Sequence, residues 1–274
     1  MIIVDGKKIA AEILQKLDKT KRGGKRPSLS VFMVGNNPAS TSFIKQKEKA
    51  AKTAKINFKL IRISVAISKK SLIASIKKEA KKNAVIVQLP LPSKFKNTKN
   101  ILDAIPPDKD ADCLSEKCLA KIIKNPKILP PTVLATKKIL KKYKISLKNK
   151  KIAIIGMGRL VGLPMFLWLV GQNYSVVACD INTKNMPSVL GSSDVIISGV
   201  GRANFIKAKN LKKGSILIDF GFSRVRESDG LIRITGDFEF SSCSKKANLI
   251  TPVPGGMGPI TVACLFENIL EFEK

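Results

Sequence analysis

The stretch Lys151-Ile152-Ala153-Ile154-Ile155, continued by Gly156-Met157-Gly158-Arg159-Leu160-Val161-Gly162, decides the fold. Its aliphatic run reads as a buried strand over Lys151–Gly156, and a helix is predicted over residues 160–172. Glycines between the two let the backbone turn tightly and approach a ligand closely. The helix start adds unpaired N–H groups and a positive dipole end. Strand, glycine turn and helix in that order are what a pyrophosphate needs. By itself the glycine pattern also suits an ordinary βα turn. The next predicted strand, Tyr174–Asp180, ends in a carboxylate 18 residues beyond Gly162. An acid there accepts hydrogen bonds from ribose hydroxyls, so the pair points to a nicotinamide dinucleotide rather than to a plain turn with a capping Asp.

Working outward, further strands are expected at Asp194–Val200 and Ser215–Phe220, and an amphipathic helix over 259–272 that returns to the first half of the chain. Upstream, residues 7–20 form a predicted helix with Ile9, Ile13, Leu14 and Leu17 on one face. Ser28–Val34 reads as a strand ending in the turn Gly35-Asn36-Asn37-Pro38, followed by a helix over Ala39–Ala54. Phe58–Val65 is a predicted strand, 69–82 a lysine-rich helix, and Ala84–Gln88 a short strand stopped by Pro90 and Pro92. Ile105–Asp112 is read as a loop and Val133–Tyr143 as a helix leading into the second half. Strands alternating with helices imply parallel βαβ units, hence an α/β fold in two domains that change over between residues 120 and 148.

Composition narrows the chemistry. Aromatic residues make up only 5% of 274 residues, so the cores must be aliphatic. No run approaches the ~18–20 apolar residues of a membrane span, and no export signal is read at Met1–Lys8. Five cysteines without a CxxC pair suit a reducing compartment, so a cytoplasmic enzyme is expected. The formal charge of +30 raises nucleic acid as a partner, but only eight of the 50 basic residues are Arg and no basic stripe is interleaved with aromatics. A solvated lysine surface that attracts anionic small molecules is the expectation. The chain has no histidine. That excludes Ser-His-Asp hydrolases, His-paired cysteine nucleophiles and His-ligated zinc, and no metal site is expected. Neither Tyr143 nor Tyr174 has a lysine four residues on, which removes the Tyr-x-x-x-Lys pair of short-chain reductases.

In the first half, Phe43 and Lys47 share a helix face. Lys47 alone reads as one more surface lysine. With parallel strands opening on one edge, however, the segments at Ala39–Ser42, Val87–Pro92 and Lys109–Asp112 are placed to bring a lysine, an amide and a carboxylate together. Here the sequence resembles the methylenetetrahydrofolate dehydrogenase/methenyltetrahydrofolate cyclohydrolase family. The resemblance rests on Val34-Gly35-x-x-Pro38-Ala39-Ser40 with Lys47 and Lys49, on Val87–Pro92, and on Pro107-x-Lys109-Asp110-x-Asp112. Its longest piece is Thr251-Pro252-Val253-Pro254-Gly255-Gly256-Met257-Gly258-Pro259-Ile260-Thr261.

The resemblance implies a folate-binding catalytic domain over 1–120, with helix 259–274 packing back on it, and a Rossmann domain over 121–258. A cleft between them and a homodimer are implied as well. By position, Lys47 resembles the catalytic lysine and Gln88 the amide that tunes it. Phe43, Asp112, Pro254, Gly255 and Gly256 are implied in substrate binding, Asp112 on the pterin's amino-pyrimidine edge. Gly156, Met157, Gly158, Gly162, Asp180 and Phe222 are implied in cofactor binding. The implied activity is oxidation of 5,10-methylenetetrahydrofolate followed by hydrolysis to 10-formyltetrahydrofolate, one-carbon chemistry of the kind purine biosynthesis draws on.

Several positions depart from the family pattern. Phe43 stands where Tyr is usual, Cys113 where Gly follows the Asp, and Pro131 and Val133 interrupt a usual Pro-Cys-Thr-Pro segment. Losing a hydroxyl beside a charged group costs about 1.5–3 kcal/mol, which would slow the hydrolytic step by roughly one to two orders of magnitude. A dehydrogenase with weak cyclohydrolase activity is therefore the nearest alternative. Met157 replaces a common Arg, and Asp180-Ile181 a usual His-Ser pair. Both changes remove partners for a 2′-phosphate, so NAD is expected over NADP, the family's usual cofactor, although Lys184 lies near. Two other readings are a shikimate- or amino-acid-type dehydrogenase and a non-enzymatic basic binding protein. Segment 251–261 argues against the first, and Lys47, Gln88, Asp112 and the glycine turn together against the second.

Overall fold

In the computed structural model, residues 1–19, 26–95, 98–226 and 229–272 are described. Chain order begins with strand β1 (Ile2–Ile3) and helix α1 (Gly6–Lys19), followed by β2 (Ser28–Val34), α2 (Pro38–Thr53), β3 (Asn57–Ile63), α3 (Lys69–Ala80) and β4 (Ala84–Val87). Two one-turn helices, α4 (Lys99–Leu102) and α5 (Glu116–Leu119), precede α6 (Pro131–Lys142). Next come β5 (Ile152–Ile155), α7 (Gly162–Gly171), β6 (Val176–Cys179), α8 (Met186–Ser192), β7 (Val195–Ser198) and β8 (Ile216–Asp219). The chain finishes with β9 (Ser223–Arg226), β10 (Ile232–Thr235), α9 (Phe240–Lys246), β11 (Leu249–Ile250) and α10 (Met257–Glu271).

Two compact units result. One comprises Ala10–Lys121, Pro126–Pro131 and Val262–Lys274. Its sheet has the order β3-β2-β4, all parallel, with Phe32 beside Val87. Phe32, Val34, Leu72, Ile76, Val85, Val87, Ile101 and Ile105 fill its core. Helix α2 starts where its sequence says: Asn37 accepts the Ser40 N–H at 3.0 Å and Pro38 takes the first helical position, whose N–H has no intrahelical partner anyway. Ser68 caps α3 in the same way through the Ser71 N–H. On α1, Ile9, Ile13 and Leu17 are buried as their spacing requires, while residue 20 lies outside the described residues.

The other unit comprises Met1–Ile9, Ile122–Asn125 and Thr132–Thr261. Its six-stranded sheet has the order β1-β11-β8-β7-β5-β6, parallel throughout, with the small antiparallel pair β9–β10 apart from it. Ala153, Ile155, Cys179, Leu190, Ile196, Leu217, Phe238 and Ile250 form its core. Strand order reverses at β5, with β6 on one side and β7 on the other. That is the topological switch point of a doubly wound sheet.

Three expectations need correction. The first domain was expected to begin at residue 1. Instead, residues 1–9 belong to the unit of β5, because Ile2 and Ile3 pair with Leu249 and Ile250 as an edge strand. A two-residue strand is too short to show any periodicity. Helix α7 begins at Gly162 rather than at 160, since residues 158–161 are still in the turn, and β3 ends at Ile63 rather than at Val65.

Asn268 is a polar residue on the buried face of α10. It is buried, and its amide donates to Ala111 O at 2.9 Å and to Leu129 O at 2.8 Å, tying three separate segments of its unit together. Asn268→Leu leaves both carbonyls unpaired and is expected to lower stability by about 2–4 kcal/mol, read as a shift of the urea midpoint. A midpoint within error of wild type would contradict this.

Candidate active site

Helix α2 leaves the carboxyl end of β2, and Gln88 is the first residue past β4, the strand paired with β2. This topology delivers Lys47 to Gln88. Lys47 Nζ donates to Gln88 Oε1 at 3.1 Å, and Gln88 Nε2 donates to Leu89 O at 2.8 Å, which commits the amide oxygen to the lysine. The loop at 109–111 runs alongside β4. Val85 N–H donates to Lys109 O at 2.8 Å, and Asp110 bridges Val85 in parallel. Asp112, two residues past that bridge, therefore lies toward the same end as Gln88, three residues past it.

The electrostatics follow from burial. Lys47 is held below the ordinary lysine value because desolvation penalises its ammonium, partly offset by the negative Asp112. Asp112 is pushed up by desolvation and pulled back by Lys47. Each thus supports the charged form of the other. Asp110 is pushed to about 6, chiefly by burial, although it accepts the Ser115 N–H at 2.8 Å. Cys113 takes φ of +55°, the left-handed region that suits the glycine the family pattern places there. Phe43, one helical turn before Lys47 on α2, is half-buried.

In the other unit, the turn after β5 has the geometry its glycines promise. Gly156 has φ of +89°, and its N–H donates to Cys179 O at 2.8 Å. A Cβ on Gly162 would overlap the Gly156 carbonyl, so helix and strand approach to a distance only glycine permits. Around the Cβ position of Gly158 nothing lies within 4 Å, and no side chain caps α7. Open space over a turn and an uncapped helix start fit a pyrophosphate. Asp180 follows β6 and is exposed. Its Oδ1 accepts the Asn182 N–H at 2.9 Å and the Thr183 hydroxyl at 3.3 Å, which fixes the carboxylate at the strand tip.

The profile of the tetrahydrofolate dehydrogenase/cyclohydrolase catalytic domain matches residues 4–112, and that of the family's NAD(P)-binding domain matches residues 130–274. The chain belongs to the tetrahydrofolate dehydrogenase/cyclohydrolase family. It is 36% identical to the bifunctional protein FolD of Nautilia profundicola, covering 100% of this chain and 98% of that one. The crystal structure of the bifunctional FolD methylenetetrahydrofolate dehydrogenase/cyclohydrolase from Campylobacter jejuni matches with a TM-score of 0.91 at 33% identity, over 100% and 98% of the two chains. The Trypanosoma brucei FolD enzyme, complexed with NADP cofactor and an inhibitor, matches with a TM-score of 0.92 at 27% identity, over 99% and 97%.

The family's two-domain α/β plan is thus present. Of the candidate residues, Phe43, Lys47, Gln88 and Asp112 lie in the unit of β2. Gly156, Met157, Gly158, Gly162, Asp180, Phe222 and Pro254–Gly256 lie in the unit of β5. Pro254 is exposed and Gly256 buried. The buried polar residues that sequence reasoning passed over include Asn268, Asp219 and Asp237. Their signals were present: a lone amide in an amphipathic helix, and acids close to Gly221 and Gly236 near strand ends.

Because the Asp112 charge raises the Lys47 pKa, Asp112→Asn is expected to lower it further. The lysine limb of the pH–rate profile for methenyl hydrolysis then moves to lower pH. A limb that moves up, or does not move, contradicts the coupling.

Proposed function

We propose that this chain oxidises 5,10-methylenetetrahydrofolate to the 5,10-methenyl form with a nicotinamide dinucleotide, then hydrolyses that product to 10-formyltetrahydrofolate. The observation that carries the reading is Lys47 hydrogen-bonded to Gln88 at 3.1 Å beside the opposing charge of Asp112. When bound, the dinucleotide supplies the hydride acceptor. The first step needs juxtaposition and no obligatory acid or base, which suits a chain without histidine.

Hydrolysis makes more demands on side chains. Water adds to the methenyl carbon and must lose a proton, and the ring nitrogen that departs must gain one. Burial disfavours the ammonium form of Lys47 relative to an exposed lysine, which suits it to taking and returning a proton in this step. Gln88 accepts one Nζ hydrogen and so orients the amine. Asp112 offers two oxygens to the N–H donors of the pterin. Phe43 supplies a ring but no hydroxyl, so hydrolysis rests on Lys47 and Gln88. By the family resemblance, Pro254, Gly255 and Gly256 border the folate, and Met157 and Phe222 contact the cofactor. The same resemblance leads us to read the working form as a cytoplasmic homodimer. Among the described residues no helix is long and apolar enough to cross a membrane.

We further read the cofactor preference as NAD. Asp180 is fixed at the tip of β6, where its carboxylate accepts ribose hydroxyls and repels a 2′-phosphate. Ile181, 98% exposed, adds an apolar face in place of a phosphate partner.

Supplying methylenetetrahydrofolate with each dinucleotide, and following methenyl and formyl products, tests both readings. kcat/KM should favour NAD, and Asp180→Ser should narrow the gap. A strong wild-type preference for NADP sinks the NAD reading. In the same assay Lys47→Met should stop hydrolysis, so that methenyl product accumulates, while sparing much of the hydride step. Equal loss of both steps would contradict the role given to Lys47.

A further inference from the structure

Two buried aspartates tie together the strand ends around the switch point. Asp237, just past β10, is fully buried. One of its carboxylate oxygens accepts the Ser198 hydroxyl and the Val200 N–H, each at 2.7 Å. The other accepts the N–H groups of Gly201 and Arg202, each at 2.9 Å. Three successive backbone N–H groups, with Gly201 at φ of +75°, make a concave nest of the kind that holds anions. Here the anion comes from the chain itself.

Asp219, the last residue of β8, repeats the device. Its Oδ1 accepts the N–H groups of Gly221 at 2.7 Å and Asp237 at 3.1 Å, and its Oδ2 accepts that of Phe238 at 3.0 Å. Its own N–H donates to Thr251 Oγ1 at 2.7 Å. A Cβ on Gly221 would overlap the Asp237 carboxylate, and one on Gly236 would overlap that of Asp219. Both carboxylates occupy space that only glycine leaves open.

This network reaches the dinucleotide turn. Gly199 N–H donates to Ile155 O at 2.9 Å, and a Cβ on Gly156 would stand 3.1 Å from Gly199 O. At its other end, Thr251 opens the segment 251–261. Shifting the loop at 199–202 therefore presses on Gly156 directly and, through Asp237 and Asp219, disturbs Thr251.

We propose that Asp237 is a positioning residue for hydride transfer: it fills the nest of Val200–Arg202 from within and, through Asp219, fixes that loop and the head of segment 251–261 against the glycine turn. This rests on the reading that the dinucleotide sits on the Gly156–Gly162 turn. With the N–H groups of 200–202 turned inward, pyrophosphate recognition falls to that glycine turn, and loop 199–202 acts as a rigid wall.

The test is Asp237→Ala, which leaves the nest open to a small carboxylate from solution. Formate should raise the melting temperature of this variant and not that of wild type, with chloride at equal ionic strength as control. In the dehydrogenase assay the dinucleotide KM should rise about tenfold or more and the folate KM by less than roughly twofold, with formate restoring part of the loss. No formate effect on melting overturns the nest. A formate effect on melting with an unchanged dinucleotide KM overturns the positioning role. A wild type inactive with either dinucleotide sinks the functional reading, and this proposal with it. If the alanine variant does not fold, Asp237→Asn carries the same KM split: one oxygen keeps its donors while the new amide faces at least one N–H group. An unchanged dinucleotide KM there likewise overturns the role.

Discussion

Parallel pairing is the constraint on which both units depend. When every strand of a sheet points the same way, every carboxyl end opens on one edge, and the residue past each strand is anchored from behind and unpaired ahead. Register then decides which residues stand level. Ile155 pairs with Cys179 and with Ser198, and Ser198 with Asp219. Gly156, Asp180, Gly199 and Phe220 therefore fall in one row at the tips of β5, β6, β7 and β8. In the smaller sheet Phe32 pairs with Val87, which places Gln88 beside the β2 end from which α2 departs. A slip of one residue in any pair would invert side chains and break the row.

That edge is also where charge must be taken out of water, and the two units do so differently. Lys47 and Asp112 offset each other as opposite charges while burial pushes each toward neutrality. Such a pair suits proton transfer, because burial disfavours the charged form of each group while the partner's charge supports it. Asp219 is held by backbone donors instead. Burial pushes it to about 7, the Asp237 carboxylate adds to that, and the N–H groups of Phe238, Asp237 and Gly221 oppose it. Fixed backbone donors do not move when a ligand arrives, so this arrangement suits holding loops in place. One site needs a proton that can move, the other a frame that cannot.

Much of this was legible in the sequence because its signals are local. Strands β2, β4, β5, β7 and β8 are aliphatic runs bounded by breakers, and α2 carries its cap and its Pro38 in the chain itself. The βα alternation gave the fold class, and the four family motifs located Lys47, Gln88 and Asp112. What escaped notice is non-local. Strand β1 has two residues and exists only because Leu249 and Ile250 lie beside it. Helices α4 and α5 are single turns, too short for a 3.6-residue period to register. Asn268 reads as one more polar residue of an amphipathic helix until its two carbonyl partners, from segments more than a hundred residues away, are known. Asp219 and Asp237 likewise read as acids at strand ends. Only the fold shows that seven of the eight hydrogen bonds in their network end on the two carboxylates.

The same contrast between local and distributed effects bears on the cofactor. A net charge of +30 draws in any polyanion, and it draws NADP more strongly than NAD because the former carries the extra phosphate. That long-range field opposes the preference we propose. Distance decides between them. At physiological ionic strength the screening length is about 8 Å, so most of the lysines, spread over the whole surface, act weakly on any one phosphate. A carboxylate about 5 Å from that phosphate, at an effective dielectric of about 40, contributes roughly 1.7 kcal/mol against it. By this reckoning the field of the whole surface bears on how fast dinucleotides arrive, and the preference for NAD that we propose rests on the single charge of Asp180.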